Sequence, residues 1–442
     1  MKLTKIIFSS VALMAVASQS QAASVRVSGS SSASSTYLLA LYRMCPSNNV
    51  NVFKIDNSTK HLGSMFTIKC NSGNFSYNGE DTGVNEYQFD VTGGSANAFL
   101  YTQYAVDNEE PLAKDGEFLS AATASACATV TGTGQLAFLS NKLRAGCSRS
   151  TNQMGKSVGG FSDVEPAIFK ATGVLTADYS ADNGTFSQVF GVAASKDLYE
   201  ALQTQQGLTV GSTIPSNQPS ISVPQLASLM NGNDFNDAKA KGPKFLVPAT
   251  AQTNITYCSR PETSGTHAVV QLYFMSNPVA SGALAGQLEI HGPRKDGAAS
   301  IVVPGVDFDG NPTGNTVTFK MNSGSSNVRS CLNAAGFAFG VLSAENNPLG
   351  SSDTYRFVKI NGMSMTAGVA GDSQTINAIN GLYDFVYDAA IFNPEFTDAL
   401  RLLNSAIPKG ATTPGVFLNG NSDTPESKFS RDNNSTSPYV SR

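Results

Sequence analysis

Arg260-Pro-Glu-Thr-Ser-Gly-Thr-His267 lies between a β-like run, Asn254-Ile-Thr-Tyr-Cys-Ser259, and a helix-like run, Ala268-Val-Val-Gln-Leu-Tyr-Phe-Met275. This pattern predicts a strand that ends at Arg260 and a helix opened by Ser264-Gly265-Thr266. A helix start exposes free backbone N–H groups and the positive end of the helix dipole, and serine and threonine add hydroxyl donors. Glycine lets the backbone approach a tetrahedral anion closely, and a guanidinium offers it two parallel donors. The same residues would also serve as a plain helix cap, so the rest of the chain has to decide.

The strand–turn–helix pattern recurs. Ser24-Val-Arg-Val-Ser28 alternates like a strand, Gly29-Ser-Ser-Ser-Ala-Ser-Ser35 is a donor-rich turn, and Thr36 to Met44 reads as a helix. Tyr87-Gln-Phe-Asp-Val91 runs into Thr92-Gly-Gly-Ser95 and then a helix-like piece from Ala96 to Tyr104. Further strands are expected at Val50–Ile55, Met65–Lys69, Phe186–Ala194, Thr316–Lys320, Gly336–Leu342, Tyr355–Ile360 and Leu382–Tyr387, with helices at 195–206, 223–231 and 394–407. Alternation of strands and helices over most of the length predicts an α/β protein. At 442 residues the chain is too long for one ordinary core, so two lobes are expected.

The first residues carry Lys2 and Lys5 and lead into an apolar run from Ile6 to Ala17, followed by Ser20-Gln-Ala22. This reads as a cleaved signal peptide over 1–22, with a mature chain from Ala23 and a periplasmic or secreted location. No later stretch has the 18 or more unbroken apolar residues of a membrane span. Without Lys2 and Lys5 the 29 basic residues become 27, against 33 acidic ones. That balance argues against nucleic acid as a partner, and any anion site must be built from a few local donors. Six cysteines, an even set in an exported chain, are expected as the disulfides 45–70, 127–147 and 258–331. No Cys-x-x-Cys pair occurs and the three histidines are scattered, so no metal site is expected.

Val158-Gly-Gly-Phe-Ser-Asp163 is a short glycine-rich piece that ends in a carboxylate. The ordered set Gly29 to Ser34, Gly94-Ser95, Gly160-Phe-Ser-Asp163 and Arg260-x-x-x-Ser264-Gly-Thr266 resembles the phosphate-binding proteins of bacterial ABC transporters, in the type 2 periplasmic-binding-protein superfamily. The resemblance implies a two-lobe periplasmic-binding-protein-like fold with a hinge and an inter-lobe anion cleft. It implies that Arg260, Ser264, Gly265 and Thr266 grip inorganic phosphate from one lobe, that Asp163 faces them from the other, and that Ser95 adds a donor. Glu262 stands where an acidic residue supports the arginine. Where the family has Gly-Ala-Gly-Ala-Thr-Phe, this chain has Gly29-Ser-Ser-Ser-Ala-Ser34, so the hydroxyl position falls on Ala33 and passes to Ser32 or Ser34.

Expected boundaries are lobe one at 23–185 with an irregular, disulfide-tied insertion at about 96–157, lobe two at 186–349, and a return to lobe one from 350 that ends in a disordered tail from Asn419 to Arg442. Monohydrogen phosphate has a proton for Asp163 to accept, whereas sulfate would meet that carboxylate as a like charge. The resemblance further implies an ABC transporter permease as partner, no cofactor and no enzymatic activity. His267 beside Ser264 lacks the nucleophile elbow and partner acid of a hydrolase. Asp307-Phe-Asp309-Gly-Asn311 lacks the glutamate that would complete a calcium loop and reads as a turn. The alternative function for the same fold is a secreted or surface protein used in adhesion or scaffolding without transport.

Overall fold

The computed structural model describes residues 23–441 apart from residues 33, 149–153, 231–239, 277–299, 307–308, 310, 335, 350–351, 366–375, 408–415, 419–428 and 433. The expected signal peptide, Ala33, most of the Asp307 turn and the first part of the tail therefore lie outside the described residues. The chain is α/β, and among the described residues its largest sheet follows one path with two halves, beside four two-stranded sheets.

In the first half the strand order is Ala128–Val130, Leu143–Ala145, Val50–Lys54, Met65–Cys70, Val84–Asp90, Ala23–Gly29, Gly160–Ser162 and Val386–Phe392. The helices Ser34–Met44 and Asp398–Ser405 cover one face. Their apolar residues Tyr37, Leu38, Leu41, Met44, Leu400 and Leu403 recur at helical spacing and are all buried. Tyr37 stacks on Phe161 with ring centroids 4.3 Å apart. In the second half the order is Phe337–Ser343, Asn254–Ser259, Pro312–Met321, Ser300–Val306 and Ala240–Lys241.

Thirteen-residue Asp182–Ala194 belongs to both halves. Its residues up to Val189 pair with Val386–Phe392, and from Phe190 onward they pair with Phe337–Ser343. The chain thus crosses between lobes inside one strand rather than through a loop. It goes back later than residue 350, because Arg356 and Phe357 still pair with Ala194 and Ala193, and Lys359 and Ile360 with Ser220 and Ile221. The first sheet is rejoined at Val386–Phe392.

The segment expected as an irregular insertion is partly regular. Leu143–Ala145 pairs in parallel with Val50–Lys54, and Ala128–Val130 extends the edge, with Cys127–Cys147 closing the excursion. The Cys45–Cys70 and Cys258–Cys331 disulfides are also formed.

The tail needs correction over its described part. Composition predicts disorder, yet Phe429–Ser430 pairs with Val440–Ser441 and Arg431 is buried. Arg431 Nε donates to the Val386 carbonyl at 2.7 Å, Nη2 donates to the Asp384 carbonyl at 2.8 Å, and the guanidinium lies 4.5 Å from the Tyr387 ring centroid. Ser435 N–H donates to Glu165 Oε1 at 2.8 Å. One buried cation that satisfies several carbonyls outweighs the polar composition around it. Arg431→Ala is expected to cost about 2–4 kcal/mol of unfolding free energy, because those carbonyls lose their donors. Urea unfolding of the two proteins would check this, and a loss under about 0.5 kcal/mol would show the strap to be ornamental.

Candidate functional site

Ala23–Gly29 runs parallel to both Val84–Asp90 and Gly160–Ser162, so the turns after these three strands emerge at one edge of the first sheet. Asn254–Ser259 runs parallel to Pro312–Met321 and Phe337–Ser343, which brings three more turns to one edge of the second sheet. The two edges face each other. Clefts at the carboxyl ends of parallel strands are where open α/β sheets hold ligands.

Asp163 is the meeting point on the first lobe. Ser30 Oγ donates to its Oδ1 at 2.5 Å, Ser32 Oγ donates to the same oxygen, and Ser95 Oγ donates to Oδ2 at 3.1 Å. Ser95 Oγ also accepts the Asp163 N–H at 3.2 Å. Of the serines expected in the first turn, Ser32 reaches Asp163. Ser34 instead begins the following helix and donates to the Ser31 carbonyl at 3.0 Å. Ser30 was not among the expected residues. In a run of serines without strand or helix periodicity, nothing in the sequence says which hydroxyls share a side.

From the second lobe, Gly265 opens the helix Gly265–Met275 directly against this carboxylate. A Cβ on Gly265 would lie 2.2 Å from Ser95 Oγ and 2.4 Å from Asp163 Oδ2. Gly94, at φ +101°, packs so closely on Ser264 that a Cβ there would lie 2.4 Å from the Ser264 Cα. Both are places where only a residue without a side chain allows the approach. Hydrogen bonds seal the junction: Thr263 Oγ1 donates to the Gly93 carbonyl at 2.6 Å, Ala96 N–H to the Thr263 carbonyl at 2.9 Å, and Gly93 N–H to the Ser323 carbonyl at 3.1 Å.

Arg260, Ser264 and Thr266 are buried with them. Arg260 Nη2 donates to the Ser323 carbonyl at 3.3 Å, and its own carbonyl is 3.1 Å from His267 Nδ1, so the histidine braces the arginine's backbone. Glu262 forms no hydrogen bond or ion pair with Arg260 among the described residues; the Ser323 carbonyl has that place. Arg260 Nε and Ser264 Oγ are fully buried donors without a protein acceptor. Leaving such groups bare costs about 1–3 kcal/mol each, more where charged.

Burial holds Asp163 above the usual carboxylate range, opposed by the three serine hydroxyls and by Arg260. Burial also presses the Arg260 guanidinium down to about 10, which Asp163 opposes, so it stays charged at neutral pH. A folded-state value above the unfolded one, about 3.9 for aspartate, gives stability that is full below the unfolded value. That stability is lost as pH rises through the folded value. The melting temperature of the wild type, measured without added anion, is therefore expected to fall relative to Asp163→Asn as pH rises from about 4 toward neutrality. Parallel pH profiles would mean that Asp163 does not titrate differently on folding.

This fold and cleft define a two-lobe α/β arrangement with a polar, charged junction. No known protein family and no curated protein matches the chain. Among solved structures it is similar to one from Clostridium perfringens, provisionally described as a phosphate ABC transporter substrate-binding protein with bound phosphate, at 11% identity and TM-score 0.39, over 90% of this chain and 100% of that one. It is also similar to the phosphate-binding protein from Stenotrophomonas maltophilia, at 13% identity and TM-score 0.35, over 84% and 79%. Both likenesses are distant, and the two-lobe architecture stands on the strand order given above. Among the described residues no helix is long and apolar enough to cross a membrane, and no cluster of His, Cys, Asp or Glu could hold a metal ion.

Proposed function

We propose that the protein is an exported solute-binding protein that captures inorganic phosphate between its lobes. The observation that carries this reading is the pair of buried, unpartnered donors, Arg260 Nε and Ser264 Oγ, at the lobe junction with an acceptor-rich carboxylate. An oxyanion in the cleft would satisfy both. A carboxylate has about four lone-pair positions, and three serine hydroxyls take three of those on Asp163, so one is left for a ligand's proton. Monohydrogen or dihydrogen phosphate can supply it, and sulfate cannot. Ser32, Ser95, Asp163, Arg260, Ser264, Gly265 and Thr266 are the proposed ligand-binding residues, with Ser30 added and Ser34 set at the margin. Closure over the anion excludes water and strengthens the charged contacts, and the closed form is what a permease would recognise.

A second reading is favoured by the closeness of Asp163 to Gly265. There the protein's own carboxylate lies at the helix start where an anion would bind, so the lobes are fastened without a ligand and the protein serves as a secreted scaffold. Calorimetric titration of phosphate, with sulfate as control, into protein stripped of ligand by partial unfolding separates the two. Saturable phosphate heat without a sulfate response, weakened in Asp163→Asn, supports capture. No heat with either anion from folded protein sinks it and leaves the fastened scaffold.

A further inference from the structure

The hairpin at the end of the chain, Phe429–Ser430 paired with Val440–Ser441, touches both sides of the place where the chain crosses between lobes. That place is Phe190, the first residue of Asp182–Ala194 to leave Val386–Phe392 for Phe337–Ser343. Its N–H donates to the Phe385 carbonyl at 2.9 Å, and its carbonyl accepts the Tyr383 hydroxyl at 2.7 Å. Arg431 joins the hairpin to this joint. Besides its bonds to the Val386 and Asp384 carbonyls, its Nη1 donates to the Ser437 carbonyl within the hairpin.

One arm of the hairpin holds the first lobe. Ser435 gives Glu165 both its N–H, at 2.8 Å to Oε1, and its hydroxyl, to Oε2. Glu165 stands just before the helix Pro166–Ala171 and on the same turn as Asp163, so this arm is tied to the turn that carries the cleft carboxylate. The other arm holds the second-lobe side. Tyr439 Oη donates to the Ala378 carbonyl at 3.0 Å, and the Phe429 ring, 5.8 Å from the Tyr439 ring, packs on Gly381 so closely that no Cβ would fit. The helix Ile376–Ile379 is bound in turn to the second lobe: Asn377 Nδ2 donates to the Ser364 carbonyl at 2.6 Å, soon after Ile360, which pairs with Ile221. Between the arms, Asp384 Oδ1 accepts the Tyr273 hydroxyl at 2.6 Å, and the Tyr273 ring stacks on Phe385 with centroids 4.4 Å apart. Tyr273 lies in the last turn of the helix that Gly265 opens at the cleft.

We propose that this hairpin is a strap across the hinge that biases the lobes toward the closed arrangement. Hinge motion turns the Asp163 side against the Gly265 helix, and the strap has one hold on each side of the pivot. Parting the lobes must break the Ser435 or Tyr439 hydrogen bonds, or draw Arg431 from the buried carbonyls, so the open arrangement loses bonds that the closed one keeps. Any anion that the cleft takes then meets a population already shifted toward closure, and its apparent affinity rises by that shift. The inference does not depend on phosphate being the ligand.

The test is the full mature chain with Ser435→Ala and Tyr439→Phe together, which removes one hydroxyl from each arm and leaves Arg431 in place. Small-angle scattering without added anion is expected to give a larger radius of gyration than for wild type, with an unchanged circular dichroism spectrum. The calorimetric Kd for phosphate is expected to rise about tenfold, which is the worth of one or two hydrogen bonds. Ser435→Ala alone keeps the N–H on Glu165, is expected to fall between, and carries the test if the double variant does not fold. An unchanged radius in the folded variant, or a larger radius with unchanged phosphate affinity, overturns the inference. A larger radius with no phosphate heat from either protein upholds the strap and overturns the phosphate reading. Equal radii with phosphate bound by both overturn the strap alone.

Discussion

Arg260→Met is expected to weaken phosphate binding by roughly a hundredfold or more, because about 3 kcal/mol or more is lost when one partner of a buried charged contact is removed. The guanidinium is buried, charged and anchored at one end by the Ser323 carbonyl, so its remaining donors are held toward the cleft before any ligand arrives. Preorganised donors pay no reordering entropy on binding, which is why their loss is felt almost fully in affinity. Arg260→Lys keeps the charge but gives up the planar fork, and an intermediate loss is expected. Calorimetric Kd values for the three proteins check the order. If Met and wild type bind alike, Arg260 is a structural residue that ties the strand Asn254–Ser259 to the Ser323 turn.

Gly265→Ala is expected to leave both lobes folded and prevent them from closing. Alanine favours a helix over glycine by up to about 1 kcal/mol, so the helix Gly265–Met275 gains locally. Its methyl group, however, would stand 2.2 Å from Ser95 Oγ and 2.4 Å from Asp163 Oδ2 across the junction, distances that no side-chain adjustment alone absorbs. The cheapest relief is separation of the lobes. Small-angle scattering should show a larger radius of gyration than for wild type, with an unchanged circular dichroism spectrum and phosphate affinity reduced at least tenfold. An unchanged radius with full affinity would mean that the two edges are not held this close in solution.

Much of the cleft was legible because it is built from local patterns. Strand, turn and helix around Arg260 read directly from the change of period, and the same pattern puts Ser95 in a turn after a strand, whereas Asp163 only ends a short glycine-rich piece and takes its role from the resemblance. Which first-turn hydroxyls meet Asp163 was not legible, since a turn has no period and Ser30, Ser32 and Ser34 differ only in how the chain bends between them. The strands Ala128–Val130 and Leu143–Ala145 are three residues each, too short for alternation to register, so that stretch read as irregular. In the tail, Arg431 lies more than forty positions from the Val386 and Asp384 carbonyls it satisfies, and a Ser/Asn/Asp-rich composition hides one anchoring residue.

The long strand Asp182–Ala194 has a mechanical consequence. At about 3.3 Å per residue it spans roughly 40 Å, and each half is laced by backbone hydrogen bonds to a different lobe. Its register breaks between Asn183 and Ser187, where the ladder is free to twist more than elsewhere. Any opening must wind or unwind this ribbon rather than swing a slack joint. The lobes then behave as two plates on a torsion bar: the bar limits how far they part and pushes them back together when the load is released.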